Sequence, residues 1–439
     1  MKKALILTIA LLFMIIGMSS GARTEELTVR FFDIDRNDGI LIECGGEAAF
    51  LDSGVHDYGQ RAVEKMRKLG VKKLKYYIGT HAHKDHVGGG SVILAALHPE
   101  AVLQPHEGVH RRIVSCAETE QERVATDMAV YRTVRPGEEI LLKDAVITVL
   151  GPIRLREPNE ISDMENNNSL VLKVSYGRRS FLLTADAMPE ELSEVAEVYG
   201  DRFACDVLKS PHHNSEPGEE LLKLASPDYV VFSTSDRAMP TKTALSSVIS
   251  AGSLPLITAT KQCGMITIHT DGDNLTIEVE NEPDRISFRE QTITVYAGAK
   301  KNPVAETKPA GYKAILFSSD DPGIAFVDGN GMVYGWRPGK TTIRATLPSG
   351  LSAQCAVTVK PVSVSLNVNS FILKPGETRR LRMKIRPESA KASVHWESDN
   401  PSVATVSRIG IVKAISSGTT IIRISGPGGA VAMCEVTVP

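Results

Sequence analysis

The chain has 439 residues, is 42% hydrophobic and 23% charged, and carries a formal charge of −2. At about 150 residues per domain this length suggests roughly three domains, and the composition is that of globular protein rather than a disordered chain. So small a net charge provides no global field to gather nucleic acid or an anionic membrane, although a local groove could still be basic.

The N-terminus reads as a secretory leader over residues 1–22. Lys2 and Lys3 precede an apolar run, and Ser20-Gly21-Ala22 supplies small residues for cleavage. The apolar run is about 15 residues, short of the roughly 20 that span a bilayer. An uncleaved anchor is the alternative; no Cys follows the run to carry a lipid, and no later stretch is long and apolar enough to cross. The expectation is a bacterial protein that is secreted or associated with the cell envelope, with a mature charge of about −4 once Lys2 and Lys3 are gone. Six cysteines lie scattered with no CxxC spacing, which suits buried thiols with at most one bridge.

From 23 to 282 short apolar strands alternate with amphipathic helices. Strands are expected at 27–32, 40–43, 49–52, 74–80, 146–150, 170–176, 180–185, 206–209, 229–233, 256–259, 265–269 and 275–280. Helices are expected at 59–69, 91–97, 120–131, 189–198, 217–224 and 242–251. This order fits an α+β domain in which two sheets pack inside outer helices.

After residue 283 helical periodicity ends and an internal repeat begins. Residues 317–322 (FSSDDP) match 396–401 (WESDNP), 331–333 (GMV) match 410–412 (GIV), and 339–343 (GKTTI) match 418–422 (GTTII), all at an offset of 79. Cys355 and Cys434 keep the same offset, whereas Gly298 aligns with Gly376 at 78. Units of this size, built from about seven short strands, are the size of all-β immunoglobulin-like sandwiches. The ordered motifs resemble the group 2 bacterial immunoglobulin-like domains, with expected bounds of 284–360 and 362–439.

The sharpest chemical signal is Thr80-His81-Ala82-His83-Lys84-Asp85-His86, which follows an apolar strand and leads through Gly88, Gly89 and Gly90 into a helix. Imidazoles and a carboxylate so close together on a strand-to-helix loop can converge on a first-row metal ion. The stretch resembles the metal-binding motif of the metallo-β-lactamase superfamily, and within it the C-terminal domain of the competence DNA-uptake channel protein. Residues 31–43 (FFDIDRNDGILIE), 50–54 (FLDSG), 168–172 (NSLVL), 181–186 (FLLTAD) and 208–215 (LKSPHHNS) carry the likeness in order.

The resemblance implies a four-layer αβ/βα sandwich and a ligand set. His81 and His83 would hold one metal position, Asp85 and His86 the other, with Asp186 between them. A late histidine would complete the second position; His213 is favoured over His212, which would then support the ligands or face substrate. Asp52 would orient the ligand loop, and Asp38, Asn168 and Ser169 would flank it. The expected cofactor is Zn²⁺, one ion or two, with Mn²⁺ as the other candidate. Such an ion acidifies water to a pKa near about 7, so no protein nucleophile is needed; Asp85, Asp186 and His213 would carry the catalysis.

The chain departs from the family in two places. Asn166, Asn167, Asn168 and Ser169 stand where many members place a further histidine, leaving the first position short of a ligand. Asp35-Arg36-Asn37 replaces the usual Gly-Gln-Gly, a turn that Asp and Asn tolerate best among non-glycine residues. His56, His98, His106 and His110 are expected at the surface rather than in the site.

The expected activity is hydrolysis of a phosphodiester, nuclease-like or phosphodiesterase-like, with nucleic acid as the substrate that the resemblance to the competence-type domain implies. An ester, lactone or amide hydrolase is the alternative, and β-lactamase activity is disfavoured by the missing histidine. A third reading is a binding protein whose sandwiches hold cell-wall or surface glycan behind an inactive front domain.

Overall fold

The structure is a computed structural model describing residues 26–157, 163–213, 215–259 and 261–439. The expected leader lies outside the described residues. Among the described residues no helix is long and apolar enough to cross a membrane.

The front domain begins with β1 (Leu27–Phe31), β2 (Ile40–Cys44), β3 (Glu47–Leu51), α1 (His56–Lys68), β4 (Tyr76–Ile78), α2 (Lys84–Val87) and α3 (Gly90–Leu97). It continues through β5 (Ala101–Gln104), α4 (Glu107–Ser115), α5 (Glu120–Met128), β6 (Tyr131–Thr133), β7 (Glu139–Leu142), β8 (Ala145–Gly151), β9 (Val171–Tyr176) and β10 (Arg179–Leu183). The remainder is α6 (Pro189–Tyr199), β11 (Val207–Lys209), α7 (Glu219–Ala225), β12 (Tyr229–Phe232), α8 (Lys242–Ser250), β13 (Leu254–Ile257), β14 (Ile266–Thr270) and β15 (Leu275–Val279). The twelve expected strands and six expected helices are all present, with shifted ends. Sequence reading missed β5, β6, β7, α2 and α4; the helix expected to reach Tyr131 stops at Met128, and Tyr131 opens β6.

Two sheets form, ordered β15-β14-β1-β2-β3-β4-β5-β6 and β13-β12-β11-β10-β9-β8-β7. Alternation in β1 turns Leu27, Val29 and Phe31 inward, where with Ile42 they meet Ile147, Leu172, Val174, Phe181 and Val231 of the other sheet. The opposite face of the first sheet, with Leu41, Phe50 and Tyr77, packs under α1 and α3 through Met66 and Ile93. Helices α6, α7 and α8 cover the second sheet through Val195, Leu222 and Val248. Burial on both faces explains why β11 and β12 read as unbroken apolar runs. The domain is the expected four-layer αβ/βα sandwich.

Adjacent strands β3 and β4 run parallel, as do β10 and β11. Their carboxyl ends deliver Asp52, the His81–His86 loop, Asp186 and His213 to one rim of the sandwich. Crevices at such strand ends are the usual ligand sites of sheets flanked by helices.

Behind this domain lie two all-β sandwiches. In the first, Thr292–Tyr296, Ser352–Lys360, Gly339–Thr346 and Leu316–Ser319 form a four-stranded sheet. Ser370–Ile372, Ala430–Val438, Gly418–Gly426 and His395–Ser398 form its counterpart. The repeated motif residues make repeated hydrogen bonds. Ser319 Oγ donates to Ala325 O at 2.6 Å and Ser398 Oγ to Ala404 O at 2.7 Å. The Thr341 and Thr420 hydroxyls accept from Asp321 N at 2.9 Å and Asn400 N at 2.8 Å. Gly331 and Gly410 both have left-handed backbone, and a Cβ there would stand 3.0 and 2.9 Å from the rings of Phe317 and Trp396. Cys355 and Cys434 are buried, and no disulfide forms among the described residues.

Candidate metal centre

The ligand loop is held before any ion is considered. Asp52, fully buried after β3, accepts from Thr80 N at 2.9 Å, from the Thr80 hydroxyl at 2.7 Å, and pairs with His86 Nδ1 at 2.7 Å. Placing the His86 proton on Nδ1 leaves Nε2 free to bind metal. Burial disfavours charge on His86, but Asp186 and Asp52 outweigh it and hold the imidazole well above its usual range. Burial raises the Asp52 carboxyl, partly offset by His86.

Three donor atoms then meet. His86 Nε2 lies 3.2 Å from Asp186 Oδ2 and 3.3 Å from His213 Nε2, and His213 Nε2 lies 3.4 Å from Asp186 Oδ2. Donors about 2.0–2.2 Å from a tetrahedral ion are about 3.3–3.6 Å apart, so these distances fit one face of a zinc tetrahedron. Asp85, half exposed, brings Oδ2 to 3.9 Å from His213 Nε2 as the fourth candidate. Asp186 Oδ1 and His213 Nδ1, the atoms turned away from this meeting point, have no hydrogen-bond partner among the described residues; they face Lys209 Nζ at 3.8 Å and Asp38 Oδ1 at 3.6 Å, which leaves Oδ2 and Nε2 for an ion. The donor set fits a divalent ion.

His81 Nε2 and His83 Nδ1 face each other at 3.1 Å as the pair for a second position. Burial, with the neighbouring charge of His86, pushes His81 well below the usual histidine range, so its lone pair is available. Ser169, adjacent to the bond from Leu170 N to Thr80 O, is buried with its hydroxyl unpartnered. The Asn168 amide accepts from Arg156 N at 2.7 Å and donates to Arg156 O at 3.1 Å.

Asp38 lies within 4.8 Å of the cluster of His86, Asp186 and His213, but it approaches the histidines from behind. Its oxygens are 4.0 Å from His86 Nδ1 and 3.6 Å from His213 Nδ1, so it orients rings whose Nε2 atoms converge elsewhere. Lys209, which sequence reading passed over, is fully buried with Nζ 2.6 Å from Asp38 Oδ2, 3.8 Å from Asp186 Oδ1 and donating to Ala185 O at 3.0 Å. Burial would raise the Asp38 carboxyl, but Lys209 and His213 overcome it and hold it well below the usual range. The available signal was a lysine ending a wholly apolar strand just before the late histidines.

His212 points its Nε2 to 3.7 Å from Asp186 Oδ2 with its side chain about one-third exposed. His213 is 1% exposed and in the cluster. Asp52, Ala185, His212 and His213 all have φ between 46° and 62°. Left-handed backbone at non-glycine residues is strained, and here it gathers around the donors. Asp35 also adopts φ 63°, as the altered turn anticipated, and accepts from the Tyr58 hydroxyl at 2.6 Å.

Two expectations about histidines need correction. His56 is buried and pairs with Glu122 at 3.2 Å. His106 pairs with Glu165 at 3.1 Å, and Glu165 accepts from Ala82 N at 2.6 Å while Arg112 Nε donates to Ala82 O at 2.8 Å. These residues pin both polar groups of the link between His81 and His83, a role invisible in sequence because the partners are 24 to 83 residues away.

Comparison with known proteins agrees with this division of the chain. Residues 284–357 and 358–436 match the bacterial Ig-like domain (group 2). The chain is 31% identical over 210 residues to ComE operon protein 3 of Bacillus subtilis (strain 168), covering 44% of this chain and 25% of that protein. It thus spans about a quarter of that relative's length. Among solved structures, a metallo-β-lactamase of Cronobacter sakazakii aligns with TM-score 0.30 and 13% identity, over 41% of this chain and 76% of that one. A diphosphatase of the PhnP family aligns with TM-score 0.33 and 15% identity, over 50% and 90% respectively.

Proposed function

We propose that the front domain, residues 23–282, is a metal-dependent hydrolase of phosphodiesters, with Asp85, His86, Asp186 and His213 as the ligands of one Zn²⁺ or Mn²⁺. The observation that carries this reading is the near-equilateral triangle of His86, Asp186 and His213 donors. A bound divalent ion supplies Lewis acidity and brings a water molecule's pKa towards about 7. His81 and His83 offer a second, incomplete position, so one ion binds more tightly than the other.

The chain's own groups do the rest. Asp52 and Asp38 fix the two imidazoles, and Lys209 balances the buried carboxylates so that Asp186 presents Oδ2. Arg36, exposed on the altered turn, acts electrostatically on His212 and supplies a cation for a phosphoryl oxygen at the mouth. His212 is placed to hydrogen-bond a substrate oxygen. The sandwiches, with the expected leader, favour a site of action at the cell envelope, where they would hold surface glycan.

Metal content and turnover of bis-p-nitrophenyl phosphate test this together. Purified protein should hold at least one equivalent of zinc and lose turnover on chelation, with recovery on zinc addition. Asp186→Ala should lose both metal and at least a hundredfold of kcat. Turnover that survives chelation would refute the reading.

A further inference from the structure

A cleft of about 570 Å³ opens directly beside the candidate centre. His212, whose Nε2 is 3.7 Å from Asp186 Oδ2, and Ala187, the residue after Asp186, both line it. The remaining surface is largely apolar, with Leu224 as its exposed large side chain and the edges of Leu192 and Leu221 beside it. Leu224 is 40% exposed, on a helix whose Leu221, Leu222 and Ala225 pack inward. The carboxylates lining the cleft are Glu197, Glu216, Glu219 and Glu220, all exposed, and among the described residues no lysine or arginine lines it.

This lining opposes a nucleic acid strand. Successive phosphates would run past four carboxylates with no cation to receive them, contrary to the basic grooves that bind such strands. It suits an apolar chain whose attached group is cationic. An alkyl chain would cover the leucines, and an ammonium group would meet the glutamate rim.

We propose that this cleft binds a lipid-like phosphodiester, one arm an alkyl or acyl chain and the other bearing an ammonium group. The chain lies against Leu192, Leu221 and Leu224, and the phosphoryl group sits past His212 at the metal centre. The inference rests on the hydrolytic reading for the fate of the phosphoryl group, but not for binding.

The test is calorimetric titration of the zinc-loaded full chain with hexyl-, octyl- and decylphosphocholine below their micellar concentrations, with decyl sulfate as the anionic control. Affinity should rise with each added methylene, up to about fourfold per group where burial is complete. Decyl sulfate should bind at least tenfold more weakly than decylphosphocholine. Leu224→Lys should flatten the chain-length series. Glu219→Gln with Glu220→Gln should narrow the gap between the two decyl head groups, which keeps the test alive if the first variant does not fold.

Equal affinity across the series, or equal binding of decyl sulfate, overturns the proposal. Bis-p-nitrophenyl phosphate needs no long chain, so its turnover separates the two readings. Turnover without chain-length dependence leaves the hydrolase and removes the lipid-like substrate. Chain-length dependence without turnover of any phosphodiester leaves the cleft and removes the hydrolase.

Discussion

Asp52 makes three polar contacts and touches no substrate, yet the position of His86 depends on it. Loss of a group that orients a metal ligand typically lowers metal affinity 10- to 100-fold. Asp52→Ala should therefore weaken zinc binding by about that factor in a chelator-competition titration, while the far-ultraviolet spectrum stays native. Unchanged affinity would show that the Thr80 and His86 contacts are incidental. At this scale the HxHxDH loop, Asp186 and the late histidines were legible because their residue types are rare in such spacing. Lys209 was not, since its meaning arises only when β11 sets it beside Asp38 and Asp186 in space. Nor were Glu165, His106 and Arg112, whose work is to hold a peptide link far from them in sequence.

The three glycines after the ligand motif acquire a reason at the scale of elements. Helix α1 passes so close to the start of α3 that a Cβ on Gly59 would stand 2.7 Å from Gly89 Cα, and one on Gly89 equally close to Gly59 Cα. No side chain can occupy that contact unless the helices part. Gly59→Ala should cost about 1–3 kcal/mol, the usual range for overpacking a close contact, measured by urea denaturation. It should also weaken zinc binding, because α2 and the His81–His86 loop lead directly into α3. Alternating strands such as β1, and the unbroken apolar strands of the second sheet, announced themselves in sequence. Strands β5, β6 and β7 did not: each has only three or four residues, and β6 has no buried residue to mark it. The four-residue α2 is set by the loop around it rather than by any helical period.

Contacts across the whole molecule divide it unequally. Gln262 donates to Gly311 O at 3.1 Å and accepts from Lys313 N at 2.7 Å, while the Cys263 thiol meets the Tyr312 hydroxyl at 3.3 Å. Apolar packing runs without a break from between the two front sheets into the first sandwich through Ile286, Phe288 and Tyr312, and touches the second sandwich only at its near end, through Val362 and Ile385. The second sandwich has its own core around Trp396, Ile422 and Cys434. The full chain should therefore unfold in two calorimetric steps, the front domain with the first sandwich and the second sandwich apart. Truncation after residue 361 should remove one step and leave the other within a few degrees; truncation after residue 283 should lower the melting temperature of the front domain. A single step in the full chain would contradict this division. The repeat was plain in sequence because its turns reuse the same Ser, Thr and Gly contacts. The shared interface was not, because Gln262 and Cys263 carry no motif.

The decisive measurement is a crystal structure of the zinc-loaded protein with anomalous data at the zinc edge. One strong peak should lie about 2.0–2.2 Å from His86 Nε2, His213 Nε2 and Asp186 Oδ2, with Asp85 or solvent as the fourth ligand. A zinc peak elsewhere, with those three atoms outside coordinating distance of it, would contradict the assignment of this centre.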